Sequence, residues 1–200
     1  MQHAIHHLRR SDPVLARIID TVGDYAIRFR EPEFETLVRS IVYQQLSGRV
    51  ASVILDRLLH AAGGRLTPEA ILRLRPARMR GVGLSTQKTA YIRDLARQTR
   101  DGHIVFSGLA GLPDPEVIEI LTRVKGIGEW TAHMFLMFAL RREDILPTGD
   151  LGLRSAIRKA YGLDALPTPA EMQGLAANWR PYCTVASWYL WRSLEGDANL

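Results

Sequence analysis

The sequence predicts an all-α fold, on three observations. Proline directly follows a helix-capping residue at Asp12-Pro13, Thr67-Pro68, Asp114-Pro115 and Thr168-Pro169. At the first helical position its missing N–H and fixed φ cost nothing, so each pair marks a helix start. Between these starts, apolar residues recur at helical spacing. Alternating patterns are short, and the best of them, His103 to Phe106, reads equally well as an extended loop. The expectation is about ten helices.

Asp12-Pro13 opens the first clear helix. Phe34, Leu37, Val38, Ile41 and Val42 form one stripe along a helix ending near Gln45, and Val50, Val53, Ile54 and Leu58 form the next. Thr67-Pro68 opens another, and Tyr91, Ile92 and Leu95 mark the one that follows. Trp130 to Leu140 is apolar on nearly every side, as expected of a central helix wrapped by others. Asp150 precedes an amphipathic helix bearing Leu153, Ile157 and Tyr161, and Thr168-Pro169-Ala170-Glu171 is a capping box. Gly81-Val82-Gly83 and Gly126-Ile127-Gly128 mark two hairpin-like turns between helices. The chain is expected to form a single domain over 1–200 of two packed lobes: 35–145, carrying the hairpin, and 1–34 with 146–200.

Two hundred residues with 46% hydrophobic content can bury a sizeable core. Lys and Arg number 26 against 21 Asp and Glu, a net charge of +5 that leans toward a polyanionic partner. Cys183 is the only cysteine, which excludes an intramolecular disulfide and any cysteine-rich zinc or iron–sulfur site and points to a reducing cytoplasm. Met1 to Arg10 lacks the apolar core of a signal peptide. No run of about eighteen apolar residues suggests a membrane span. His3, His6 and His7, on a segment expected to be mobile and lacking carboxylate or thiol partners, are not expected to bind metal. Arg73, Arg75, Arg78 and Arg80 cluster before Gly81 and suit salt-dependent contacts to phosphates.

Within Gly126-Ile127-Gly128, residues without Cβ permit positive φ and a close approach of phosphate to the backbone. The helix that follows from Glu129 directs its free N–H groups and positive dipole end at the same place. Val124 and Ile127 are suited to anchor the turn, and Lys125 adds charge. The run Leu121-Thr122-Arg123-Val124-Lys125-Gly126-Ile127-Gly128-Glu129-Trp130-Thr131-Ala132 resembles the helix-hairpin-helix signature of the base-excision-repair glycosylases. Hairpins of this kind also serve ligases, nucleases and polymerases. Asp150, twenty-two residues beyond Gly128, lies in Leu146-Pro147-Thr148-Gly149-Asp150, which resembles the Gly/Pro-rich loop and aspartate of that superfamily. Read alone, Asp150 is equally a helix N-cap.

Three further segments carry a resemblance to the alkylpurine branch, DNA-3-methyladenine glycosylase II. They are Ile41-Val42-Tyr43-Gln44-Gln45-Leu46-Ser47, Gly83-Leu84-Ser85-x-x-Lys88 running into Tyr91-Ile92-Arg93-Asp94-Leu95-Ala96, and Trp179-Arg180-Pro181-Tyr182 with Ala186-Ser187-Trp188-Tyr189-Leu190-Trp191. The resemblance implies an assignment of roles: Asp150 is catalytic, stabilising an oxocarbenium-like transition state. Trp130, Tyr182 and Met134 line a base pocket, where an aromatic face suits a cationic base. Gln45 is a wedge filling the gap left by the flipped nucleotide. Lys125, Gly126, Gly128 and Gly83 contact DNA.

It also implies a monovalent cation, Na+ or K+, on the main-chain carbonyls of Thr122, Val124 and Ile127, and no other cofactor. The partner implied is double-stranded DNA with alkylated bases such as 3-methyladenine and 7-methylguanine, met by a monomer in the cytoplasm. Bifunctional relatives carry a lysine where this chain has Trp130, so base removal without strand cleavage is expected. Neither an iron–sulfur cluster nor the N-terminal β-rich domain of larger members is expected. Cys183 stands where relatives often have arginine, and reads as a small core residue. The alternatives are another lesion, oxidised or mismatched, or a non-catalytic DNA-binding protein.

Overall fold

Thirteen α-helices and no strand are present among the described residues, 1–195, of the computed structural model. In order they are α1 Gln2–Ser11, α2 Pro13–Val22, α3 Phe34–Tyr43, α4 Gly48–Ala61, α5 Pro68–Arg73, α6 Pro76–Gly81, α7 Thr86–Arg100, α8 Phe106–Leu109, α9 Asp114–Thr122, α10 Glu129–Phe138, α11 Leu151–Tyr161, α12 Pro169–Ala176 and α13 Cys183–Glu195. The excess over the expected ten lies in α1 and in two short pieces, α6 and α8, too brief to carry a periodic stripe. No described helix is long and apolar enough to cross a membrane.

The chain divides into two units, Arg30–Leu140 and Met1–Phe29 with Arg141–Leu200, each boundary five residues ahead of the one expected. In the contiguous unit, α3 packs on α4, α7 and α10, α5 and α6 pack on α7, and α9 packs on α10. Phe34, Leu37, Val38, Ile41 and Val42 are buried together with Ile92, Leu95, Leu121, Phe135 and Leu136. In the discontinuous unit α13 packs on α1, α2 and α11 around a core that includes Leu8, Leu15, Ile19, Leu153, Ile157, Trp179 and Tyr189.

Three expectations need correction. The first residues are not mobile: α1 buries Ala4 and Leu8 in the core, so residues 2–11 are held by apolar contact. α9 begins at Asp114 with Pro113 as its N-cap, so Asp114 does not cap; it sits with Glu116 in the first turn, where the helix dipole favours both. His103 to Phe106 forms no strand, in keeping with the loop reading: Val105 is extended and Phe106 starts α8. α10 is not wrapped on all sides, since Trp130 is 46% exposed and Met134 half-buried. The caps at Asp12, Thr67 and Thr168 form as expected, with the Thr168–Glu171 box complete.

Candidate functional site

The glycine turn between α9 and α10 is built from both sides. Val124 and Ile127 are buried at its base, while Lys125 and Gly128 are exposed. Gly126 takes φ +82°, and a Cβ there would lie 2.0 Å from the Tyr91 ring, so internal packing alone demands glycine. A Cβ on Gly128 meets nothing within 4 Å. The Lys125 N–H donates to Asp94 Oδ2 at 3.1 Å, and that of Ile127 to the Val124 carbonyl at 3.1 Å. α10 runs from Glu129, as the sequence predicts, with Gly128 as its N-cap.

Helix α7 buttresses the turn with residues the sequence reading did not single out. Asp94 also accepts from Gln98 and Arg97, and Gln98 Nε2 donates to the Arg123 carbonyl at 3.1 Å. Burial pushes the Asp94 carboxyl up, but these donors outweigh it and hold its pKa below the usual aspartate value. Of the three carbonyls expected to hold a monovalent cation, that of Val124 also accepts the Ile127 N–H. The Gly126 carbonyl is taken by Gln44 Nε2 at 2.8 Å. Neutral main-chain oxygens of Thr122, Val124 and Ile127 are hard donors, a set that fits Na+ or K+.

Beside the turn, α3 and α10 enclose a cleft of about 590 Å3, the size of a small-molecule site. Trp130, Met134 and Gln45, three of the predicted residues, come together on its wall with Thr131, Tyr43 and Gln44. Arg30 and Arg39 also line it. The Arg39 guanidinium lies 4.1 Å over the Tyr43 ring, an arrangement that disperses its charge on an aromatic face. Burial, and then the charge of Arg39, pull the Arg30 pKa down. Neither arginine carried a sequence signal: Arg30 lies in the loop ahead of α3, and Arg39 on a helical wheel reads as solvated charge.

Asp150 lies in the discontinuous unit, as N-cap of α11. Its Oδ1 accepts the Leu153 N–H at 2.6 Å and the Trp191 Nε1–H at 2.8 Å. The capping role is thus real, and it fixes the carboxylate without excluding chemistry. Gly152 makes room for this pair: a Cβ there would sit 3.2 Å from Asp150 Oδ1 and 3.6 Å from Trp191. Trp191 was legible only as part of an apolar segment.

Tyr182, also in this unit, packs edge-on against His7 with ring centroids 5.4 Å apart. Cys183 is fully buried at the start of α13, its N–H donating to Asp144 Oδ1 at 3.2 Å, and burial pushes its thiol pKa up. No group of three or more His, Cys, Asp or Glu among the described residues is placed to hold a metal ion. Gly83, with φ +111°, forms the turn between α6 and α7, and Arg73, Arg75, Arg78 and Arg80 are all exposed beside it.

Residues 38–181 match the sequence profile of the HhH-GPD superfamily base excision DNA repair protein. DNA-3-methyladenine glycosylase 1 of Schizosaccharomyces pombe is 34% identical over 94% of this chain and 85% of its own length. A solved structure of the 3-methyladenine DNA glycosylase Mag1 from that yeast, in complex with abasic DNA, superposes with a TM-score of 0.85 at 33% identity, covering 96% of this chain and 97% of the other. A DNA-3-methyladenine glycosidase from Bacillus halodurans gives a TM-score of 0.88 at 36% identity, over 98% of this chain and 91% of that one.

Proposed function

Because this chain belongs to the HhH-GPD superfamily of base excision DNA repair proteins, we propose that it is a DNA glycosylase that removes alkylated bases from double-stranded DNA. The observation that carries the reading is Asp150, a carboxylate whose orientation is fixed by Leu153 and Trp191 in a chain that also bears the phosphate-binding hairpin.

The hairpin takes a DNA phosphate on backbone N–H groups, and the carbonyls of Thr122, Val124 and Ile127 would hold a Na+ or K+ ion, which would add positive charge there. Gln45 enters the stack as the nucleotide leaves it, offsetting an unstacking cost of about a few kcal/mol. Trp130 and Met134 receive the base, with Tyr182 assigned to the same task by resemblance. Cleavage breaks the C1′–N bond, the electron pair leaves with the base, and positive charge builds on the sugar. Asp150 stabilises that charge and orients the water that bonds to C1′, whose proton passes to the carboxylate and then to solvent.

An alkylated purine such as 3-methyladenine or 7-methylguanine already carries a positive charge, so it departs without protonation and one carboxylate suffices. Trp130 stands where bifunctional relatives carry lysine, so no Schiff base forms and the strand stays intact. The enzyme acts as a monomer in the cytoplasm, on the nucleoid if the source is bacterial.

Replacing Asp150 by Asn tests this reading. Base release from methylated duplex DNA should stop while affinity for abasic-site DNA changes little. Undiminished release by Asp150→Asn would remove the carboxylate from the mechanism. Binding without release by the unaltered protein would identify a non-catalytic DNA-binding protein, and release only from oxidised or mismatched duplexes would change the lesion.

A further inference from the structure

Gln45 has φ +53°, in the left-handed region that residues with a Cβ seldom enter, and it is exposed. Such a conformation persists only where the surroundings impose it. Two side chains do so. Lys88, in the first turn of α7, donates from Nζ to the carbonyls of Val42 at 2.7 Å and Gln44 at 2.6 Å. Gln44 in turn donates from Nε2 to the Gly126 carbonyl at 2.8 Å. The segment that ends α3 is thus tied at its backbone to α7 and at its side chain to the glycine turn.

An ammonium group in a DNA-binding protein ordinarily serves a phosphate. Lys88 is half-buried and points its donors at two protein carbonyls instead. Its position is fixed further by the Ser85 hydroxyl, which accepts the Lys88 N–H at 3.1 Å.

We propose that Lys88 and Gln44 are positioning residues for nucleotide extrusion: together they hold Gln45 in its inserting conformation before DNA arrives and join it rigidly to the hairpin. Phosphate capture and gap filling are then delivered by one pre-formed piece, and the ordering of the 44–46 loop is complete before the encounter. This rests on the reading of Gln45 as the wedge.

The experiment compares single-turnover release of 7-methylguanine by the full chain from a duplex and from the same lesion placed in an unpaired bubble, where no wedge is needed. Lys88→Met should lower the duplex-to-bubble rate ratio about tenfold, and Lys88→Arg, which keeps donors for both carbonyls, should restore it to within about threefold. Gln44→Met, which removes only the link to Gly126, should lower the ratio in the same direction and serves if Lys88→Met does not fold. Gln45→Ala should lower the ratio too, and adding Lys88→Met to it should change little more.

Equal slowing on both substrates by Lys88→Met and Gln44→Met, or no slowing at all, overturns the proposal while Gln45→Ala still affects the duplex. A Gln45→Ala variant that leaves the duplex rate unchanged overturns the wedge reading itself, and this proposal with it.

Discussion

Asp150 Oδ1 accepts two N–H donors, one from the backbone of Leu153 and one from the Trp191 indole. A hydrogen bond to a charged acceptor contributes about 1.5 to 3 kcal/mol, enough to hold the carboxylate at one rotation. Trp191→Phe keeps the packing and deletes the donor, and single-turnover base release should fall about tenfold or more with abasic-DNA affinity unchanged. A rate equal to the parent's would show that the indole does not orient Asp150. Legibility at this scale is uneven. Asp12 and Asp150 look alike in the sequence, each an aspartate capping a helix. Asp12 is 6% exposed, and its carboxylate accepts from Val14, Leu15, Trp179 and Tyr161, so it is the polar centre of a core. Three of its elements meet only in the folded unit, and no local pattern announces that. The Asp150 motif was readable because its neighbours Pro147 and Gly149 are unusual together; its indole partner, 41 residues on, was not.

At the scale of the element, the two glycines of the hairpin do different work. Gly126 is required by the fold, with positive φ and a Tyr91 ring where a Cβ would go, while Gly128 opens on empty space. Gly126→Ala should therefore lower the free energy of unfolding, by about 3 kcal/mol or more from strain and overpacking together, measured by denaturant titration. Gly128→Ala should leave stability within about 0.5 kcal/mol and weaken DNA binding instead. Equal stability losses in both would mean that neither glycine is kept for the ligand. Helices opened by a capping residue and a proline, such as α2 and α12, or carrying a long apolar stripe, such as α3, were legible. α6 was not, because Arg75 gives no capping signal ahead of Pro76 and the helix has only 6 residues. The apolarity of α10 was read as complete burial, whereas Trp130 and Met134 line a cleft; composition alone does not separate a core face from a site face.

Across the whole molecule, positive charge is concentrated where the sequence runs Arg73, Arg75, Arg78 and Arg80, all exposed. Contacts of this sort act through counterion release, so the double variant Arg78→Ala, Arg80→Ala should reduce the slope of log K against log salt by about 2 if both meet phosphates. An unchanged slope would place these side chains off the DNA. The all-helical class and the hairpin were legible from composition and spacing. The division into a contiguous unit, Arg30–Leu140, and a discontinuous one was legible only in outline, since its boundaries fall within loops, 23–33 and 139–150, without a composition shift. That discontinuity has a consequence during synthesis. α1 and α2 leave the ribosome ahead of the Arg30–Leu140 unit with Leu8, Leu15 and Ile19 on their apolar faces, and their core partners Leu153, Trp179 and Tyr189 are translated only after the whole of that unit. At about 5 to 20 residues per second the wait is roughly 5 to 30 s. For that interval the nascent chain carries an amphipathic helix pair with no core to join, a natural client for chaperones, while the unit behind it has every residue it needs to fold.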